Sequence, residues 1–112
     1  DSFPHSGGTM LLDAFWMGVP ALTLAARPPV GRLGAGMLTN LGLPEWIAGT
    51  EADYVEKACA FAGHPEDLNR LRLGLRDRLQ ASPLMDGPGF TRDVEAAYRM
   101  MFESWATEGG VP

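Results

Sequence analysis

Cysteine is nearly absent. Cys59 is the single thiol in 112 residues, which excludes an internal disulfide framework and any multi-cysteine zinc site. Basic residues are scarce, 9 Lys and Arg against 14 Asp and Glu, for a formal net charge of −5. That balance argues against a nucleic-acid footprint and against a polybasic membrane anchor. No apolar run is long enough to cross a bilayer. No basic, apolar leader precedes the first helix, so a cytoplasmic protein, or a piece of one, is expected, with neither nucleic acid nor membrane as partner. Histidine is rare too, and His5 and His64 lie too far apart in sequence to suggest a metal site.

Glycine and proline are plentiful by contrast, and their positions divide the chain. Residues 1–8 are rich in turn formers, and residues 9–17 contain no breaker and suit a short, mostly buried helix. Gly18 follows as a helix-terminating residue, and Pro20 forbids continuation. Ala21–Leu24 is an apolar run of strand length, expected to be a central parallel strand. Pro28 and Pro29 mark a loop. A small-residue helix is expected over Arg32–Leu41, ended by Gly42, and Pro44–Gly49 has room for one very short strand.

From Thr50 the pattern is helical. Thr50 and Asp53 have capping-box spacing. Tyr54, Ala58, Phe61 and Ala62 share a face of the helix that follows. His64 is expected to cap the next helix, which starts with Pro65 and two acids. There Leu68, Leu71, Leu75 and Leu79 form an apolar stripe, and Arg70, Arg72, Arg76 and Arg78 are expected on a solvated face. A last helix carries Phe90, Val94, Ala97, Tyr98, Met101, Phe102 and Trp105 at helical spacing, a core stripe by default. Cys59 is expected to be a small core residue. Gly109 and Gly110 are expected to begin a frayed tail. The expected class is α/β, with an α/β part at 1–49 and a helical layer at 50–112, together one partial domain. Strands preceding Asp1 are expected to complete the sheet.

The best candidate for chemistry is Ser6-Gly7-Gly8-Thr9 at the start of the first helix. Glycines let the backbone approach a ligand, first-turn N–H groups point outward, and the helix dipole favours an anion there. Asp13 lies one turn after Thr9 on the same face, where a carboxylate can accept from ribose hydroxyls. The same residues also suit an ordinary Ser or Thr helix cap with a solvated Asp13, and spacing alone leaves both readings open. The second cluster, Gly31-Arg32-Leu33-Gly34-Ala35-Gly36, is not a G-x-G-x-x-G fingerprint. Close helix packing is expected of it. His5-Ser6 lacks the G-x-S-x-G elbow of a hydrolase nucleophile, and His5 is expected to shape the loop.

With those residues in view, the chain resembles the C-terminal end of a family 41 glycosyltransferase, the O-linked N-acetylglucosamine transferase and SPINDLY group, of bacterial type. The segment carrying the likeness runs from Asp1 to Leu24. It is supported in order by Arg32–Leu38, by Glu51–Ala58 with its central Tyr54, by Ser82–Asp86 and by Phe90–Tyr98. The resemblance implies a GT-B fold, of which this chain is the latter part of the C-terminal, Rossmann-like, donor-binding half, helix-rich with one or two short parallel strands. It implies that Ser6, Gly7, Gly8, Thr9 and Met10 form the loop that holds the UDP diphosphate and that Asp13 binds the ribose. Met10 stands where a second Thr is usual, and Gly8 where the animal enzymes have a His. The implied reaction is an inverting transfer from a UDP-sugar, UDP-N-acetylglucosamine first among them, to a protein or peptide hydroxyl. No metal or further cofactor is expected. The remainder of a longer chain is expected to supply the base, so this segment alone is expected to be inactive. Two other readings stand beside it: a related GT-B enzyme with another sugar or acceptor, and a non-catalytic helical interaction module.

Overall fold

The computed structural model describes residues 1–107, so the expected tail at Gly109 and Gly110 lies outside the described residues. The elements follow the glycine and proline punctuation. α1 spans Thr9–Trp16, β1 Thr23–Leu24, α2 Leu33–Asn40, β2 Ile47–Ala48, α3 Glu51–Ala62, α4 Pro65–Gln80 and α5 Gly87–Thr107. Short 3₁₀ turns at Pro29–Arg32, Pro44–Trp46 and Pro83–Met85 each start with a proline, whose fixed φ suits a first helical position.

Gly18 and Gly42 end α1 and α2 at φ 73° and 67°, a region that L side chains rarely adopt. Thr50 caps α3, its Oγ1 accepting from Asp53 N–H at 3.1 Å. Asp53 Oδ2 accepts from Gly49 N–H at 2.9 Å, one residue before the cap. His64 departs from expectation. It sits at the N-cap of α4 without a side-chain hydrogen bond there, and its backbone carbonyl accepts from Asp67 and Leu68 N–H instead. Pro65 and the first-turn acids Glu66 and Asp67 already suit that terminus.

β1 and β2 pair in parallel, with Thr23 opposite Ile47 and Leu24 opposite Ala48. The crossover between them carries α2, as a parallel pair requires. The expected α/β class with short parallel strands is therefore the observed one. The core gathers Leu11 and Phe15 from α1, Leu22 beside β1, Leu38 from α2 and Leu75 and Leu79 from α4, together with Trp46. Trp46 stacks on Phe61 of α3 at 3.9 Å between ring centroids. The α4 leucine stripe faces inward as its spacing predicts, Leu68 and Leu71 packing against the core from its margin.

Three further expectations fail. Cys59 is exposed, as are its neighbours Ala58 and Ala60. Tyr54 and Phe61 carry the inner side of α3, and small side chains cost little on the outer one. The α4 arginines are not merely solvated. Arg76 Nε donates to Trp16 O at 2.7 Å and its guanidinium lies 5.0 Å from the Trp16 ring centroid. Arg78 Nη1 donates to Leu41 O and Gly42 O, both at 3.3 Å. Two arginines of one helix thus satisfy carbonyls at the C-terminal ends of α1 and α2, where cations are favoured. The stripe on α5 is not core: Phe90, Tyr98, Met101, Phe102 and Trp105 are all more than half exposed.

Candidate functional site

The loop before α1 runs over the end of β1. Gly8 is the N-cap of α1, at φ 52° and ψ −119°, with no side-chain cap. The ordinary Ser or Thr cap left open by the sequence is therefore absent. Met10 N–H donates to Gly7 O and Leu11 N–H to Gly8 O, both at 3.0 Å. Among the described residues the N–H groups of Gly8 and Thr9 have no protein acceptor. They lie at the positive end of the helix dipole, and a glycine without Cβ leaves the approach to them open.

The rest of α1 divides into two faces. Leu11 and Phe15 are buried, and Thr9 and Asp13, one turn apart, are exposed on the other side. A hydroxyl donor and two amides thus sit one turn from a carboxylate on a solvent-facing surface. Met10 is 76% exposed beside them, and its thioether offers no donor there.

Ser6 and Gly7 belong to a different set of contacts. Ser6 is buried. Its hydroxyl donates to Asp1 Oδ2 at 2.7 Å and accepts from Gly34 N–H at 2.8 Å. Gly7 N–H donates to Asp1 Oδ1 at 2.7 Å. Of the five residues expected to hold a diphosphate, Gly8 and Thr9 therefore offer open donors, and Ser6 and Gly7 face inward. Met10 offers neither a free amide nor a hydroxyl. His5 Nδ1 lies 2.8 Å from Ser6 O and Ser2 Oγ donates to His5 O at 2.7 Å, the loop-shaping role expected of this segment.

Asp1 and Thr23 are the residues that sequence reasoning missed. Thr23 Oγ1 donates to Asp1 Oδ2 at 2.7 Å from within β1. Two local features mark them: Thr23 is the one polar residue in the apolar run Ala21–Leu24, and Asp1 is an acid placed just ahead of a glycine loop. The second glycine cluster packs closely, as expected, at two of its three glycines. A Cβ on Gly31 would lie 2.6 Å from Ala26 Cβ and one on Gly34 2.6 Å from Asp1 Oδ2, whereas Gly36 faces open space.

Two concavities flank these elements. A cavity of about 260 Å³ lies beside Asp1, lined by Phe3, Leu24, Glu51, Tyr54 and Val55. It adjoins the C-terminal end of β1, where open α/β sheets bind ligands. A larger groove of about 530 Å³ runs between α3 and α4 over Trp46 and Phe61. Among the described residues no group of three or more His, Cys, Asp or Glu is placed to hold a metal ion. No helix there is long and apolar enough to cross a membrane.

Comparison with known proteins adds to this geometry. A family model described as glycosyl transferase family 41 matches residues 3–94. The chain is 37% identical to the probable UDP-N-acetylglucosamine–peptide N-acetylglucosaminyltransferase SPINDLY of Solanum lycopersicum, over all of this chain and 12% of that protein. It is 27% identical to the UDP-N-acetylglucosamine–peptide N-acetylglucosaminyltransferase of Caenorhabditis elegans, over 96% of this chain and 9% of that protein. Among solved structures, an O-GlcNAc transferase of Thermobaculum terrenum superposes with a TM-score of 0.83 at 36% identity, covering 93% of this chain and 20% of that one. The chain thus spans about an eighth of the length of the SPINDLY proteins it matches.

Proposed function

The chain belongs to glycosyl transferase family 41, and from that premise we propose that it is the donor-binding C-terminal part of a UDP-sugar-dependent protein O-glycosyltransferase. Its fold is the latter part of the C-terminal Rossmann-like half of a GT-B glycosyltransferase. The observation that carries the functional reading is the open start of α1. Two unpartnered amides and the Thr9 hydroxyl lie one turn ahead of an exposed Asp13.

In this reading the diphosphate of the donor sits on the Gly8 and Thr9 N–H groups and the Thr9 hydroxyl, and Asp13 accepts hydrogen bonds from the ribose. UDP-N-acetylglucosamine is the donor named for the relatives, with a peptide as acceptor. The acceptor hydroxyl oxygen forms a bond to sugar C1 from the face opposite the leaving group. The bond from C1 to the diphosphate oxygen breaks, and the configuration inverts. UDP departs with its electron pair, and the hydroxyl proton passes to a base outside this chain. The contribution of α1 is electrostatic, because donors fixed beforehand stabilise the charge as it grows on the leaving oxygen. The remainder of the polypeptide, the sugar donor and a protein acceptor are the partners of this segment, and no metal takes part.

The test is Asp13→Ala in the polypeptide that carries this chain. Removing a charged acceptor from hydroxyl donors is expected to weaken UDP binding roughly ten- to a hundredfold by calorimetry. Unchanged affinity would sink the ribose role.

A further inference from the structure

Two adjacent glycines give the loop before α1 wide conformational freedom, and in its observed arrangement the Gly8 and Thr9 amides have no protein acceptor among the described residues. The fixed point of that arrangement is Asp1. Its Oδ1 accepts from Gly7 N–H at 2.7 Å and from Ser2 N–H at 2.8 Å. Its Oδ2 accepts from the hydroxyls of Ser6 and Thr23, both at 2.7 Å. Four short, charge-assisted bonds thus converge on one half-buried carboxylate. Gly34 N–H of α2 donates to the Ser6 hydroxyl at 2.8 Å and extends the cluster. Thr23, 1% exposed, anchors it in β1. The packing leaves little slack, because a Cβ on Gly34 would stand 2.6 Å from Asp1 Oδ2, 2.7 Å from Thr23 Oγ1 and 2.9 Å from Ser6 Oγ.

We infer that Asp1 is a positioning residue for the donor loop: by binding Gly7 N–H and the Ser6 and Thr23 hydroxyls it turns those donors inward and leaves Gly8 and Thr9 N–H facing the donor. It acts through Gly7 and does not itself reach the diphosphate. The inference rests on the donor-cradle reading above and adds to it the element that sets the cradle's shape.

An Asp1→Asn variant keeps the volume of the side chain but replaces one acceptor oxygen with an amide that can only donate. In the polypeptide that carries this chain, UDP affinity by calorimetry and the KM values for UDP-sugar and acceptor peptide are measured for Asp1→Asn, Thr23→Val and Asp13→Ala. Asp1→Asn is expected to raise the UDP Kd and the donor KM about tenfold, the equivalent of one charge-assisted bond, with the acceptor KM unchanged. Thr23→Val, which touches no ligand, is expected to shift donor KM in the same direction by a few-fold. The double variant is expected to fall short of the product of the two, since they share a bond. A drop in kcat with both KM values unchanged reports a smaller folded fraction and overturns the positioning role. So does an Asp1→Asn protein with wild-type donor affinity beside a weakened Asp13→Ala. If both leave UDP binding unchanged, the cradle reading itself fails and the inference with it. If Asp1→Asn does not fold, Thr23→Val decides: a folded Thr23→Val protein with unchanged donor KM overturns the inference.

Discussion

Gly8 has open space where a Cβ would be, yet its φ of 52° is one that L residues rarely adopt. The constraint there is conformational rather than steric. The neighbouring Met10 is constrained by neither, being 76% exposed, so a change there tests chemistry alone. Met10→Thr places a hydroxyl in the first turn of α1 beside the Gly8 and Thr9 amides. One added neutral hydrogen bond is expected to tighten UDP binding by roughly two- to tenfold in the polypeptide that carries this chain, read by calorimetry. On the proposed reading, Asp13→Ala and Asp1→Asn separate a group that touches the donor from one that holds the loop. Gly8, Thr9 and Asp13 were legible as candidates because glycine pairs and i, i+4 spacing are local patterns. Asp1 was not, because its partner in β1, Thr23, lies 22 residues away. The inward turn of Ser6 was hidden for the same reason, its hydroxyl being held from α2.

Element against element, α4 supports the site from behind. Leu75 and Leu79 pack into the core with Leu11 and Phe15 of α1, and Arg76 reaches the last carbonyl of α1 while lying over the Trp16 ring. The turn after α1 is pressed against the same helix, since a Cβ on Gly18 would stand 2.8 Å from Arg72 O. Gly18→Ala combines that clash with φ 73° and is expected to destabilise the fold by at least about 2 kcal/mol. Arg76→Ala, which removes one exposed hydrogen bond and one exposed cation–π contact, is expected to cost about 1 kcal/mol. Urea unfolding of the two variants checks the order. The helices themselves were legible, with ends marked by Gly18, Gly42 and the prolines. The arginine contacts were not, because a long side chain on an outer helical position can reach a neighbouring terminus that only the packing supplies.

For the whole molecule, the described residues have a radius of gyration of 17.7 Å and extents of 59 × 30 × 19 Å, against about 13 Å for a compact domain of this length. The excess is α5. Its 21 residues make a rod of about 31 Å that meets the rest of the chain mainly at the Pro83–Met85 turn. Tyr98, Met101, Phe102 and Trp105 line its surface, each more than half exposed. Apolar stripes of that size drive association when uncovered. The 112-residue chain by itself is expected to self-associate, and Phe102→Ser with Trp105→Ser to shift it toward monomer, as read by light scattering. Local patterns along the chain were enough for the α/β class, the helices and most of their ends, the glycine loop and the shared face of Thr9 and Asp13. Each of these depends on residues within about one helical turn or on a breaker at a boundary. Packing between distant elements set which loop donors face inward, left Cys59 and the α5 stripe outside the core, and brought two α4 arginines to the ends of neighbouring helices. Periodicity tells which face of a helix is apolar, and only the placement of other elements tells whether anything faces it.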